Sequence, residues 1–297
     1  MANKGGGSVS IIEKAAAKIN LSQDLIYHEA TGSWHYDMVM ASVDLSDRLT
    51  IQERSDQEIV VRTSRSFLPN DARNHAYRAA SLIREASQVK RGLEIIIEKQ
   101  IPVSAGLGGG SSDAAAVLRA VNKLWDLDYS REELLDLALK IDADAPYCLL
   151  GGIQHVSGQG DQLQPLSALP ASWLVLAKPP LSVSTDKILH ELTPSDLPDQ
   201  ANTPAVLQAI HKHSYQDLVQ ATGNMLEDLV FWNYPSLAKL KAKMQKFGAQ
   251  GVTMTGTGST VIGFAPSLNR AKHVYNALRG FCKEVYVVPV LQQGTGL

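Results

Sequence analysis

Hydrophobic positions change period several times along the chain, and the changes predict its elements. Apolar and polar residues alternate over Ser8–Lys14 and Ile19–Leu25, as in half-buried strands. Asp47–Glu53 and Glu58–Arg62 repeat the alternation on either side of the polar turn Ser55-Asp56-Gln57. From Asn70 to Ser87 the period becomes helical, with Ala72, Ala76, Ala79, Ala80, Ile83 and Ala86 on one face. The β-branched run Leu93–Lys99 is the next strand, and Ala114, Val117, Leu118, Val121, Leu124 and Trp125 again recur at helical spacing. Ser130-Arg131-Glu132-Glu133 is a capping-box sequence opening a helix to about Ile141. Gly151-Gly152 separates a short helix from a strand at Ile153–Val156.

The second half interleaves the same two periods. Trp173–Ala177 is an apolar strand that leaves through Lys178-Pro179-Pro180. The proline-bearing stretch from Leu192 to Pro204 is predicted as a loop, with helices following to about Phe231. Pro235–Phe247 is a helix stopped by Gly248. Val252–Phe264 holds two strands around Gly256-Thr257-Gly258, Pro266–Arg279 is a helix, and Glu284–Val290 a closing strand. The fold class is α+β. The glycine-rich ends are expected to be disordered.

Between the strand ending at Lys99 and the helix beginning near Ala114 stands the run Pro102-Val103-Ser104-Ala105-Gly106-Leu107-Gly108-Gly109-Gly110-Ser111-Ser112-Asp113. Four glycines fall in the five residues 106–110. Without Cβ atoms, successive N–H groups can converge on one point, and the helix N-terminus behind them favours an anion. Strand, glycine loop and helix together make a phosphate cradle, with Ser111 and Ser112 offering a helix cap and two hydroxyls. The loop lacks the Gly-Lys-Ser/Thr ending of a Walker loop. It also fails the dinucleotide fingerprint, since Ser111 replaces the last glycine.

Composition narrows the partners. Of 297 residues, 44% are hydrophobic and 20% charged, with a net charge of −2. This is an ordinary globular balance with no basic stripe for nucleic acid. The two cysteines, Cys148 and Cys282, suggest neither a disulfide framework nor a metal-binding pair. With no signal-like apolar core and no run near the ~18 residues of a membrane span, the reading is cytoplasmic, without a membrane partner.

Two further residues carry candidate chemistry. Lys18 lies among Ala15-Ala16-Ala17 and Ile19, where a lysine would pair with a carboxylate. Asp144 follows a helix ending in Lys140-Ile141-Asp142, where a carboxylate can accept or align an acceptor hydroxyl. Asp142 competes with it on spacing.

The glycine run resembles the phosphate loop of the GHMP superfamily of galactokinase, homoserine, mevalonate and phosphomevalonate kinases. Ala17-Lys18-Ile19-Asn20-Leu21, Asp142-Ala143-Asp144-Ala145-Pro146-Tyr147-Cys148 and Met254-Thr255-Gly256-Thr257-Gly258-Ser259 match in the same order. The resemblance extends from about Ile12 to about Val288 and is nearest to the branch acting on 4-diphosphocytidyl-2-C-methyl-D-erythritol. It implies a two-domain fold, with a nucleotide domain over residues 1–170 and a ferredoxin-like substrate-side domain over 171–297. The active site would lie in the cleft between them. It implies ATP and Mg²⁺ as cofactors and a small-molecule acceptor, a cytidine diphosphate conjugate. A kinase for another small alcohol or sugar, or a non-catalytic ATP-binding regulator on the same fold, are the alternatives.

By resemblance, Lys18 and Asp144 are the catalytic pair, the Asp-Ala-Pro-Tyr-Cys context selecting Asp144 over Asp142. Asn20 lies near the acceptor. Asn74 and Lys99 lie near the adenine and ribose, where sequence alone reads a helix-start residue and a solvated strand-end lysine. Pro102, Gly106, Leu107, Gly108, Gly109, Gly110, Ser111, Ser112 and Asp113 hold the phosphates, with Mg²⁺ on the two serines. Gly256 and Thr257 face the cleft, although a ligand-free β-turn explains them as well. For the acceptor base, the family pattern Gly-Tyr-His is replaced by Gly32-Ser33-Trp34-His35, one residue longer. Trp34 would stack on the base and His35 bond its edge. Thr185 keeps the family threonine, while Leu189 stands where an aromatic wall is common.

Overall fold

The computed structural model describes residues 9–28, 34–193 and 201–297. The N-terminal glycine run, Gly32 and Ser33, and the middle of the predicted 192–204 loop lie outside the described residues.

The two strands predicted before residue 26 are one, β1 (Ser10–His28). It pairs antiparallel with β2 (Trp34–Arg54), whose first half the alternation did not reveal. Two physical causes hid them. Bulges at Ala16/Ala17, Asn20/Ser22 and Leu25/Tyr27 shift the side-chain register of β1. Met38–Val43 of β2 is buried on both faces, so it reads as a continuous apolar run.

β3 (Ile59–Thr63) and β4 (Gly92–Glu98) extend this sheet, with α1 (His75–Ser87) crossing between them. α2 (Gly109–Leu124), α3 (Arg131–Leu139) and α4 (Ala145–Leu150) cover its face. The predicted capping box is present on α3, with both Ser130–Glu133 bonds made. The contact of α1 with α2 is made through small side chains, Ala76, Ala79 and Ala80 among them, all fully buried. β5 (Ile153–Gly158) pairs with the first half of β2 and β6 (Gln162–Pro165) with β5.

The second half begins with β7 (Trp173–Lys178). α5 (Thr185–Glu191) was not predicted; Ser184 caps it by accepting from Lys187 N. α6 (Thr203–His211), α7 (Tyr215–Ala221), the two-residue β8 (Gly223–Asn224), α8 (Glu227–Asn233) and α9 (Pro235–Lys246) follow. Thr203 and Pro204, predicted in the loop, open α6, because Asp24 accepts the backbone N–H groups of Asn202 and Thr203. β9 (Gln250–Met254), β10 (Val261–Ala265), α10 (Leu268–Leu278) and β11 (Glu284–Leu291) complete the chain.

The strand order β11-β7-β10-β9, all antiparallel, is the ferredoxin-like arrangement of a βαββαβ chain. β11 also pairs with β2 through Val290 and Leu291, so the two halves share one sheet. The C-terminal end is tied down rather than loose. Gly294 bridges Gly151, and Thr295 donates from its N–H to Leu150 O and from its hydroxyl to Leu149 O, both at 2.7 Å. Among the described residues no helix is long and apolar enough to cross a membrane.

Candidate active site

The glycine loop leaves β4 and enters α2 between the two halves. Gly106 and Gly108 are the positions that demand glycine, with φ of +74° and +64°. A Cβ on Gly106 would collide with Thr255 O, and one on Gly108 would stand 2.7 Å from Lys18 Cγ. The loop is therefore pressed between β1 at Lys18 and the turn at Thr255. Lys18 N donates to Leu107 O at 3.0 Å, and Thr260 N to Ala105 O at 3.2 Å. A Cβ on Gly109 would instead meet Ile101 at 3.1 Å and Lys99 Nζ at 3.3 Å, on the sheet side.

The predicted serine cap is not made. Gly108 occupies the N-cap of α2 without a side-chain bond. Ser111 Oγ donates to Asp142 Oδ2 at 2.8 Å, and Ser112 Oγ to the Ala16 carbonyl. A glycine cap leaves the first N–H groups of the helix uncapped by side chains.

Two cavities meet at this loop. The larger, about 480 Å³, is lined by Asn74, Lys99, Pro102, Gly106, Leu107, Gly108, Gly109, Gly110, Ser111 and Asp113, and also by Leu68, Pro69 and Arg73. It gathers every residue predicted around ATP except Ser112. Asn74 does two things there: it lines the cavity, and its Oδ1 caps α1 by accepting from Ala76 N at 2.9 Å. Lys99 is not the solvated lysine that sequence alone reads. Its ammonium, on a side chain 5% exposed, donates to Asp47 Oδ2 at 2.5 Å and Asp113 Oδ2 at 2.6 Å. Burial pushes the Lys99 pKa down, but the two carboxylates outweigh it and the net direction is up. Asp113 is raised, chiefly by burial, with Lys99 opposing.

The second cavity, about 430 Å³, is lined by Lys18, Asn20, Tyr36, Asp144, Thr185, Leu189, Gly256 and Thr257, among others. Lys18 Nζ stands 3.1 Å from Asp144 Oδ2 and donates to Asn20 Oδ1 at 3.0 Å. The bulges on either side of Ala17–Asn20 place Lys18 and Asn20 on the cleft face while Ala17, Ile19 and Leu21 enter the core. Asn20 N donates to Thr255 Oγ1 at 2.9 Å, tying β1 to the second glycine turn. That turn is held from behind by Asn224, whose Nδ2 donates to Met254 O and Gly256 O. Thr185 and Thr257 join their hydroxyls at 2.7 Å. His75, Gly106, Gly108, Ser111 and Thr185 line both cavities and so form their common rim.

Two predicted acceptor residues are elsewhere. Trp34 is 5% exposed, enclosed by Leu25, Val183, Ile188 and Leu226, with its indole N–H directed to Leu189 O at 3.4 Å. It supports the Leu189 wall from behind rather than facing a base. His35 lines a separate surface depression with Leu139 and Gly158. The aromatic side chain that does face the cavity is Tyr36. Burial, with the charge of Asp144 adding to it, pushes its hydroxyl up to about 12, so it stays protonated and able to donate. Sequence reasoning also passed over His75, Asp47 and Asn224. His75 was hidden as the residue after a helix cap, Asp47 as part of a strand pattern. Among the described residues no three His, Cys, Asp or Glu side chains cluster as a metal site.

The GHMP kinase N-terminal domain model matches residues 74–152, and the GHMP kinase C-terminal model matches residues 206–284. The chain is 47% identical over 281 residues to a 4-diphosphocytidyl-2-C-methyl-D-erythritol kinase of Levilactobacillus brevis, an alignment covering 94% of this chain and 99% of that one. The chain belongs to the GHMP kinase family. Solved structures agree. A crystal structure of 4-(cytidine 5'-diphospho)-2C-methyl-D-erythritol kinase superposes with a TM-score of 0.80 at 32% identity, over 96% of this chain and all of that one. Homoserine kinase from Cytophaga hutchinsonii shares the fold at a TM-score of 0.77 and 20% identity, over 99% and 98% of the two chains. As a GHMP kinase the chain is an ATP-dependent small-molecule phosphotransferase.

Proposed function

We propose that this GHMP kinase transfers the γ-phosphoryl group of ATP to the 2-hydroxyl of 4-diphosphocytidyl-2-C-methyl-D-erythritol. The observation that carries the reading is the Lys18–Asp144 pair in the second cavity, with Lys18 packed against Gly108 of the rim that the two cavities share. The near-full-length likeness to a kinase named for that substrate gives its identity. ATP takes the cavity under the glycine loop, its phosphates on the N-terminus of α2. The acceptor takes the cavity lined by Asn20, Tyr36, Leu189 and Thr257, with Tyr36 rather than Trp34 presenting a ring to the cytosine. Residues 1–170 form the ATP-binding domain and 171–297 the substrate-side domain.

The acceptor oxygen attacks the γ-phosphorus, the bond to the bridging oxygen breaks, and ADP leaves. Asp144 aligns the hydroxyl and takes its proton. Lys18 holds Asp144 in place through their 3.1 Å ion pair, and Asn20 orients the Lys18 ammonium. Little covalent work remains for the protein, so alignment and charge neutralisation supply most of the rate. Mg²⁺ belongs to this reading, and the donor chemistry of the cradle suits it. The Ser111 hydroxyl proton is directed to Asp142, which leaves oxygen lone pairs for a cation. Ser111 would therefore hold it. Ser112, 3% exposed and turned to the Ala16 carbonyl, would not. Held there, the ion would supply charge neutralisation for the phosphate oxygens.

The test is an ADP-release assay with purified protein, ATP and Mg²⁺ against a panel holding the cytidyl acceptor, mevalonate, homoserine and galactose. The cytidyl acceptor is expected to be turned over fastest. Faster turnover of another alcohol would overturn the substrate assignment.

A further inference from the structure

The carboxylate of Asp142 takes no part in the transfer described above, yet four groups converge on it. Its Oδ1 accepts the backbone N–H groups of Asp144 and Ala145 at 2.9 and 2.8 Å. Its Oδ2 accepts the Ser111 hydroxyl at 2.8 Å and lies 3.0 Å from His75 Nδ1. These groups come from three chain segments that are far apart in sequence. His75 opens α1, Ser111 sits in the first turn of α2, and Asp144 immediately precedes α4. His75 and Ser111 both belong to the rim shared by the two cavities.

The Ser111 hydroxyl spends its one proton on Asp142 Oδ2. A helix cap alone would need one oxygen, and Oδ1 already serves it. Oδ2 has a separate task.

We propose that Asp142 is a positioning residue, its Oδ1 fixing the turn that carries Asp144 and its Oδ2 setting the orientation of Ser111 and His75 where the two cavities meet. The phosphate cradle and the acceptor-aligning carboxylate are thereby held in register by one side chain. The proposal rests on the kinase reading above, since register between cavities matters only if a group crosses the rim.

The two oxygens can be tested separately. Asp142→Asn keeps an oxygen for the turn and replaces the second acceptor by an N–H donor; Asp142→Ala removes both. Compared with wild type, Asp142→Asn is expected to keep Tm within about 3 °C. Its kcat is expected to fall by about 10- to 100-fold, the scale of a small misplacement of reacting groups, with the acceptor KM little changed. Asp142→Ala should lose kcat and Tm together. Ser111→Ala should lose kcat on the wild-type background and lose nothing more on the Asp142→Asn background, because both changes break the same contact. Wild-type kcat in Asp142→Asn, multiplied losses in the double variant, or an Asp142→Asn chain that does not fold would each overturn the proposal.

Calorimetry with Mg²⁺ and ATP, without acceptor, keeps this separate from the substrate assignment. Affinity losses in Ser111→Ala and Asp142→Asn are expected not to multiply. If they multiply, the positioning role of Asp142 fails. If wild type is inactive on the cytidyl acceptor, the substrate assignment fails instead.

Discussion

Two buried lysines flank the glycine loop, and their surroundings differ in one respect. Lys99, on the sheet side, lies between Asp47 and Asp113, with all three side chains at most 5% exposed. Lys18, on the cleft side, is equally buried, but its partner Asp144 is 33% exposed and faces a cavity. Asp47 is committed further: its Oδ1 accepts the N–H groups of Gln100 and Ile101, anchoring the start of the loop. A closed ion cluster has no room for an incoming hydroxyl. An open pair leaves one carboxylate accessible from the cavity while the lysine holds it in place. On the proposed mechanism the same residue types serve as scaffold in one place and as reacting groups in the other, and solvent access to the carboxylate separates the two.

The comparison breaks most visibly at the open end. Asp144→Asn is expected to lower kcat by at least about 100-fold, the lower range for a general base, with ATP affinity and Tm little changed. Near-normal turnover would remove Asp144 from the mechanism.

The closed end should fail in the other direction. Lys99→Met leaves two buried carboxylates facing each other, and uncompensated charge of this kind costs about 3–5 kcal/mol. A large fall in Tm is expected, partly recovered by adding Asp113→Asn, which leaves one buried carboxyl group in place of two. An unchanged Tm in Lys99→Met would show the cluster to be no scaffold.

A smaller effect separates the two aromatic residues at the acceptor end. Trp34→Ala should cost stability, up to about 3–5 kcal/mol for a buried tryptophan. Tyr36→Ala should act on binding, raising the acceptor KM by the roughly 1–3 kcal/mol that base stacking is worth, with ATP KM unchanged. The reverse pattern would put Trp34, not Tyr36, against the base.

The difference between these regions also explains what the sequence made legible. The glycine loop is a local motif, continuous from Pro102 to Asp113, and its geometry follows from its own residue types. The helix period of α2 and the capping box of α3 are local too. An isolated lysine among alanines and a carboxylate at a helix junction made Lys18 and Asp144 candidates, but only the family resemblance paired them and chose Asp144 over Asp142; the structure brings the two to 3.1 Å. What stayed hidden depends on distant partners. The full length of β2 is invisible because both its faces are covered. The fate of the Lys99 ammonium depends on Asp47, fifty-two residues earlier. Trp34 and Tyr36 are two positions apart on one strand, and only the packing of α5 and α8 decides which of them the cavity sees. The serine pair was read as offering a cap as well as ligand hydroxyls, and the cap is not made because the competing acceptors, Asp142 and the Ala16 carbonyl, lie far along the chain.

The division between open and closed clusters is tested most directly by single-turnover transfer from ATP to the cytidyl acceptor, at saturating concentrations of both. Lys18→Met and the Lys99→Met/Asp113→Asn pair would be measured beside wild type. Loss of an electrostatic group at the reacting centre is expected to slow Lys18→Met by about 100-fold or more. The Lys99→Met/Asp113→Asn protein, once folded, is expected to transfer at close to the wild-type rate. A fast Lys18→Met enzyme beside a slow Lys99→Met/Asp113→Asn enzyme would contradict the account.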